Sequence, residues 1–145
     1  MKLQKNVSLL TVLGAVIALT AATTASEDAE KLFDAKCAVC HSKTRPADPS
    51  NVSAPALMGV MRHVKMRYPD KASAVTFMVD YVLNPAREKS ICKPQKIERF
   101  GLMPSQKGIV TKEELTKISE WMYDNYPPAN FRGRGMGRGG GKHSY

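Results

Sequence analysis

The stretch Cys37-Ala38-Val39-Cys40-His41 concentrates more chemistry than any other in the chain. Two thiols three residues apart, followed at once by an imidazole, form the attachment pattern of a c-type haem. The spacing has a chemical reason. The thiols must reach the two vinyl groups on one edge of a porphyrin and close thioether bonds, while the histidine offers its nitrogen to the iron. Adjacent cysteines could not span the vinyls, and a long spacer would lose the preorganisation. Two other chemistries use a CxxC pair. A structural zinc site takes four ligands, commonly from two such pairs, and the chain has no second CxxC. A dithiol redox pair belongs in a βαβ context, and no such context is legible here.

A second axial donor comes from Gly101-Leu102-Met103-Pro104. Pro104 biases Met103 towards extended backbone, which suits a loop residue reaching across to a metal. Iron held by His and Met has a raised reduction potential and keeps no position open for substrate. His63 and Met78 are weaker rivals as ligands: one is a lone histidine in a basic run, the other falls on a helical apolar stripe.

With these residues the chain resembles a small class I, single-haem c-type cytochrome of the exported bacterial kind, over roughly residues 26 to 128. The resemblance is carried by Cys37, Cys40, His41, the Ala54-Pro55-Ala56-Leu57 loop, Met103-Pro104 and the aromatic helix around Trp121. It implies an all-α fold around one haem c, bound covalently through Cys37 and Cys40, with iron between His41 and Met103. It also implies that the carbonyl of Pro55 accepts a hydrogen bond from the His41 ring, fixing its tautomer and raising its basicity. Leu57, Met58 and Val60 would line the pocket, with Gly59 allowing close approach. The N-terminal helix would cross the last one, with an aromatic residue at the contact.

The elements that must position these groups read as short helices and loops. Ser26-Glu27-Asp28 puts acids in a first helical turn, where the dipole favours them. Ala29, Leu32, Phe33 and Lys36 follow at helical spacing and lead into Cys37. Residues 42 to 56 are rich in Ser, Pro, Asp and Asn and read as a loop. Asp70 is placed to cap a helix from Lys71 to Leu83, with Ala72, Val75, Met78, Val79, Val82 and Leu83 as its apolar stripe. Asn84-Pro85 ends it. Pro85 to Gly101, which holds Cys92, reads as a polar connection. Thr111 with Glu114 three residues later is a capping box, opening a helix with Leu115, Ile118, Trp121 and Met122 on one face. Trp121 there is a packing residue rather than a catalytic one.

The 145 residues, 43% of them hydrophobic, suffice for one domain with extensions. Residues 1 to 25 read as a cleaved signal peptide: Lys2 and Lys5, an apolar run from Leu9 to Ala22, and the small residues Thr23-Thr24-Ala25. The run falls short of the roughly 18 to 20 apolar residues needed to span a bilayer. Export to the periplasm agrees with covalent haem attachment. Losing Lys2 and Lys5, with no acid, takes the formal charge from +9 to +7. Arg132, Arg134, Arg138 and Lys142 lie in a Gly/Arg-rich basic tail, residues 129 to 145, which has almost nothing apolar to offset the cost of ordering glycine.

The expected function is therefore electron transfer, without enzymatic turnover, between redox protein partners that bear acidic docking surfaces. Lys36, Lys43 and Arg45 flank the attachment motif and would ring the haem edge. Arg62, His63, Lys65 and Arg67 form a second basic run that reads as a solvated face or a docking surface. The tail suits weak contact with an anionic membrane, and export argues against nucleic acid. The alternatives are a haem-binding subunit of a larger enzyme, or a sensor or sulfur-compound-processing cytochrome using Cys92, since a thiolate can also ligate haem.

Overall fold

Apolar residues at helical spacing set the architecture. The computed structural model describes residues 25–48, 50 and 52–131, and these contain five α-helices and no strand. The leader read over residues 1 to 25 and the tail read over 129 to 145 fall outside the described residues except at their inner edges. At those edges residue 25 is already helical, and the amide of Phe131 donates to the carbonyl of Pro128 at 2.8 Å. No helix among the described residues is long and apolar enough to cross a membrane.

The first helix, α1, covers 25–36 and buries Ala29 and Phe33. α2 is Leu57–Arg67, and it buries Leu57, Met61 and Val64. α3 is Lys71–Leu83, where the Asp70 carboxylate accepts the Ser73 amide as N-cap. α4 is Pro94–Phe100, and α5 is Lys112–Asn125. Thr111 and Glu114 form the reciprocal capping box at the head of α5, which satisfies two of the orphan amides of its first turn. The all-α class, both caps and the bounds of α3 follow the sequence pattern.

Two helices do not. α2 lies where the sequence suggests pocket-lining residues and a basic run, although Leu57, Met61 and Val64 sit at i, i+4 and i+7, one helical face. α4 falls inside the stretch read as a polar connection. Pro94 at its first turn costs no hydrogen bond there, and Ile97 supplies the buried anchor. On α3 the stripe is turned: Ala74 is buried and Ala72 is exposed.

α3 and α5 pack side by side, with α2 also against α5. Phe33 of α1 meets Trp121 of α5 with ring centroids 5.4 Å apart, and Tyr126 meets Trp121 edge-on, also at 5.4 Å. Phe33, Leu57, Met61, Leu115 and Ile118 are each at most 2% exposed. Burying a side chain of this size stabilises by about 1.5–3 kcal/mol. Tyr123 ties the α2–α3 corner to α5 by donating its hydroxyl to the Pro69 carbonyl.

Candidate functional site

α1 does not stop cleanly at residue 36. The amides of Cys37 and Ala38 donate to Phe33 O, and the amides of Cys40 and His41 donate to Cys37 O at 3.2 and 3.0 Å. The His41 bond is a helical i to i+4 closure. Residues at i, i+3 and i+4 of such a turn share a face, so Cys37, Cys40 and His41 border one cavity.

The loop after His41 is closed by the Leu57 amide donating to Ser42 O at 2.8 Å. That closure brings Pro55 to the edge of the imidazole, and His41 Nδ1 lies 2.8 Å from the Pro55 carbonyl oxygen. A carbonyl only accepts, so Nδ1 carries the proton and Nε2 keeps its lone pair.

The segment after α4 reaches the same cavity. Gly101 caps α4 with φ 74°, a left-handed turn that glycine adopts without strain. The following residues are then pinned to the end of α3: Ser105 Oγ donates to Leu83 O at 2.6 Å, and the Gln106 amide to Val82 O at 3.1 Å. Met103 lies between these anchors, outside any helix, and borders the same cavity as His41.

That cavity, about 230 Å³, is walled by Phe33, Leu57, Val64, Val82, Leu115 and Ile118 among others. Cys37, Cys40, His41, Pro55 and Met103 all border it, so the five candidate residues come together. Met78 borders it too, but it is 5% exposed and packed into the core of α3. His63 does not border it.

Cys92 lies in the connection before Pro94, as the sequence reads, and reaches a place that the sequence does not show. It is half-buried and lies on the wall of this cavity, carried there by the turn before α4. Nothing local in Ser90-Ile91-Cys92-Lys93 signals this, because the placement depends on how α4 packs.

Burial pushes the Cys37 thiol up to about 11, with Cys40 adding to the rise. A dithiol redox pair works through a thiol of lowered pKa, so this environment is the wrong one for it. Among the described residues no three His, Cys, Asp or Glu side chains converge to hold a metal ion, and a protein-only zinc site needs at least three. The donors that do converge are the His41 imidazole, the thioether of Met103 with those of Met78 and Met122 also on the wall, and the thiols of Cys37, Cys40 and Cys92, against apolar side chains. This set fits a haem c.

The basic ring expected around this edge is weaker than the sequence suggests. Lys43 is held by Glu30 at 2.7 Å and Asp34 at 2.8 Å, and hydrogen bonds to Asp34 and then Glu30 raise its pKa. Lys36 Nζ donates to Ile109 O at 2.9 Å. Arg45 is exposed. Nothing in the sequence around Lys43 announces Glu30 and Asp34 of α1 as its partners.

No family model matches the chain, and no solved structure matches it. A protein of Aquifex aeolicus (strain VF5) is 37% identical over 75 residues, which cover 52% of this chain and 49% of that protein. The likeness thus spans about half of each. That relative is itself uncharacterized, so it transfers no activity.

Proposed function

We propose that the chain is an exported one-electron carrier of the class I cytochrome c type, holding a single haem c through Cys37 and Cys40 with His41 and Met103 as axial ligands. The observation that carries this reading is the 2.8 Å bond from His41 Nδ1 to Pro55 O, in an apolar cavity that both cysteines and Met103 also border. Bound there, the haem would supply a ferric–ferrous couple.

The chain's own residues do the rest. Pro55 fixes the His41 tautomer, so that Nε2 is the available ligand and its basicity is raised. Gly101 and the Ser105 and Gln106 anchors hold Met103 in place without help from a helix. The apolar wall keeps water away, which shapes the reduction potential. The test is expression in a host that attaches haem c. Intact mass should rise by one haem, and Met103→Ala should lose the weak red absorption band of ferric Met-ligated haem and lower the potential. No haem in the mass spectrum, or a band that survives, defeats the assignment.

A second reading is favoured by one observation: Cys92 borders the same cavity. A thiol there suits a haem protein that binds a small ligand or processes sulfur compounds. A Cys92→Ser variant separates the two, because the carrier needs no thiol beyond the attachment pair.

A further inference from the structure

Beside the inner cavity lies an open groove of about 770 Å³, bordered by His63, Met66, Tyr68 and Phe77. Phe77 borders both cavities, whereas Tyr68 borders only the groove and Tyr81 only the inner cavity. The three rings stack in sequence, Tyr68 on Phe77 at 4.7 Å and Phe77 on Tyr81 at 5.7 Å. A continuous packed aromatic path therefore joins the groove to the interior.

The charge beside the groove is unusual. His63 on α2 lies close enough to Arg62, Lys93 and Lys96 for all three to depress its pKa, after burial, which is the larger cause. Residues 31 apart in sequence thus form one basic face across α2 and α4. Arg62, Lys93 and Lys96 make no ion pair with an acid among the described residues, whereas Lys89 at the groove is paired with Asp80 at 2.8 Å. Met66, 66% exposed, adds an apolar contact on this side. The edge around Val39 presents an apolar tip, but of its flanking lysines Lys43 is paired with Glu30 and Asp34 and Lys36 donates to the Ile109 carbonyl.

We propose that this α2–α4 face, with its groove, is the docking surface for an acidic one-electron carrier protein. The inference rests on the electron-carrier reading. Charge complementarity selects the partner: an acidic rim would meet Arg62, Lys93 and Lys96, and a projecting apolar side chain would enter beside Met66 and Phe77. Transfer across this face moves one electron, oxidising the partner and reducing the group in the inner cavity, with no bond or proton exchanged. The aromatic stack gives that electron packed atoms rather than water to cross.

The test uses the full haem-loaded chain and a recombinant flavodoxin as the acidic probe. At low salt, amide shifts should cluster on Arg62, His63, Met66, Lys93 and Lys96 and disappear as salt is raised, since exposed charge is screened. The double variant Arg62→Glu, Lys93→Glu should lose those shifts and slow reduction by flavodoxin semiquinone roughly tenfold or more. Reduction by dithionite should be unchanged, as should flavodoxin docking to Arg45→Glu. Because Lys93 is exposed, Lys93→Glu alone gives a weaker effect of the same sign if the double variant folds poorly. Shifts centred on Val39 and Arg45, or no shifts at all, overturn the proposal. So does binding of these same residues to phosphatidylglycerol vesicles in place of flavodoxin. If the purified chain carries no haem by mass, the carrier reading fails, while the shift map still decides where an acidic protein docks.

Discussion

The rings of Phe33 and Trp121 meet at 5.4 Å and 42°, joining the helix that delivers Cys37 to α5, the last helix among the described residues. Phe33 is also the residue whose carbonyl receives the Cys37 amide. The contact therefore fixes both the core and the starting point of the candidate site. Trp121→Ala should cost about 3–5 kcal/mol, as large aromatic truncations in a core do. Urea unfolding measures it, and a loss under 1 kcal/mol would mean that the two helices are held by something else.

Gly101 is a purely backbone requirement. A Cβ there would meet nothing within 4 Å, yet φ is +74°. Gly101→Ala should therefore destabilise by about 1–3 kcal/mol through strain alone. It should also loosen the Met103 segment before it disturbs the helices. Hydrogen exchange would register this as faster opening at residues 102 to 106 than at α3. Uniform loss of protection would argue against a local effect.

Cys92 can be removed at little cost on the carrier reading. Cys92→Ser keeps the size of the side chain and leaves His41, Pro55 and Met103 untouched. Absorption spectrum and midpoint potential should stay nearly constant. A large change in either, with the haem retained, would transfer weight to thiol chemistry in the cavity.

Acid should weaken the fold through two surface carboxylates. The bond from the Ser73 amide lowers the Asp70 pKa, and the hydrogen bond from Lys89 lowers that of Asp80. A folded pKa below the unfolded one means stabilisation that is full above the unfolded value, near 3.9, and lost as pH falls through the folded one. Thermal midpoints should be level from pH 7 to about 5 and decline below about 4. Asp80→Asn should lower the plateau and flatten the decline. An unchanged slope would show that other carboxylates control acid unfolding.

The chemistry-bearing residues and the local signals were legible in the chain itself, because they depend on near neighbours. Asp70 ahead of Lys71, and Thr111 with Glu114, announce their helices through hydrogen bonds that span three residues. The Cys37, Cys40, His41 spacing is of the same kind, since one helical turn puts all three on a common face. α2 was not legible as a helix: the i, i+4, i+7 register of Leu57, Met61 and Val64 is there, but the basic residues between them obscured it. What depended on distant parts of the chain was decided only by tertiary packing. Lys43 reads as a free cation until α1 brings Glu30 and Asp34 to it. Cys92 reads as a loop thiol until α4 packs and turns it onto the cavity wall. Arg62 and Lys93 come near one another, around His63, only through the tertiary fold. Pairing, burial and shared surface are relations between residues far apart in sequence, so no window of neighbouring residues can encode them visibly.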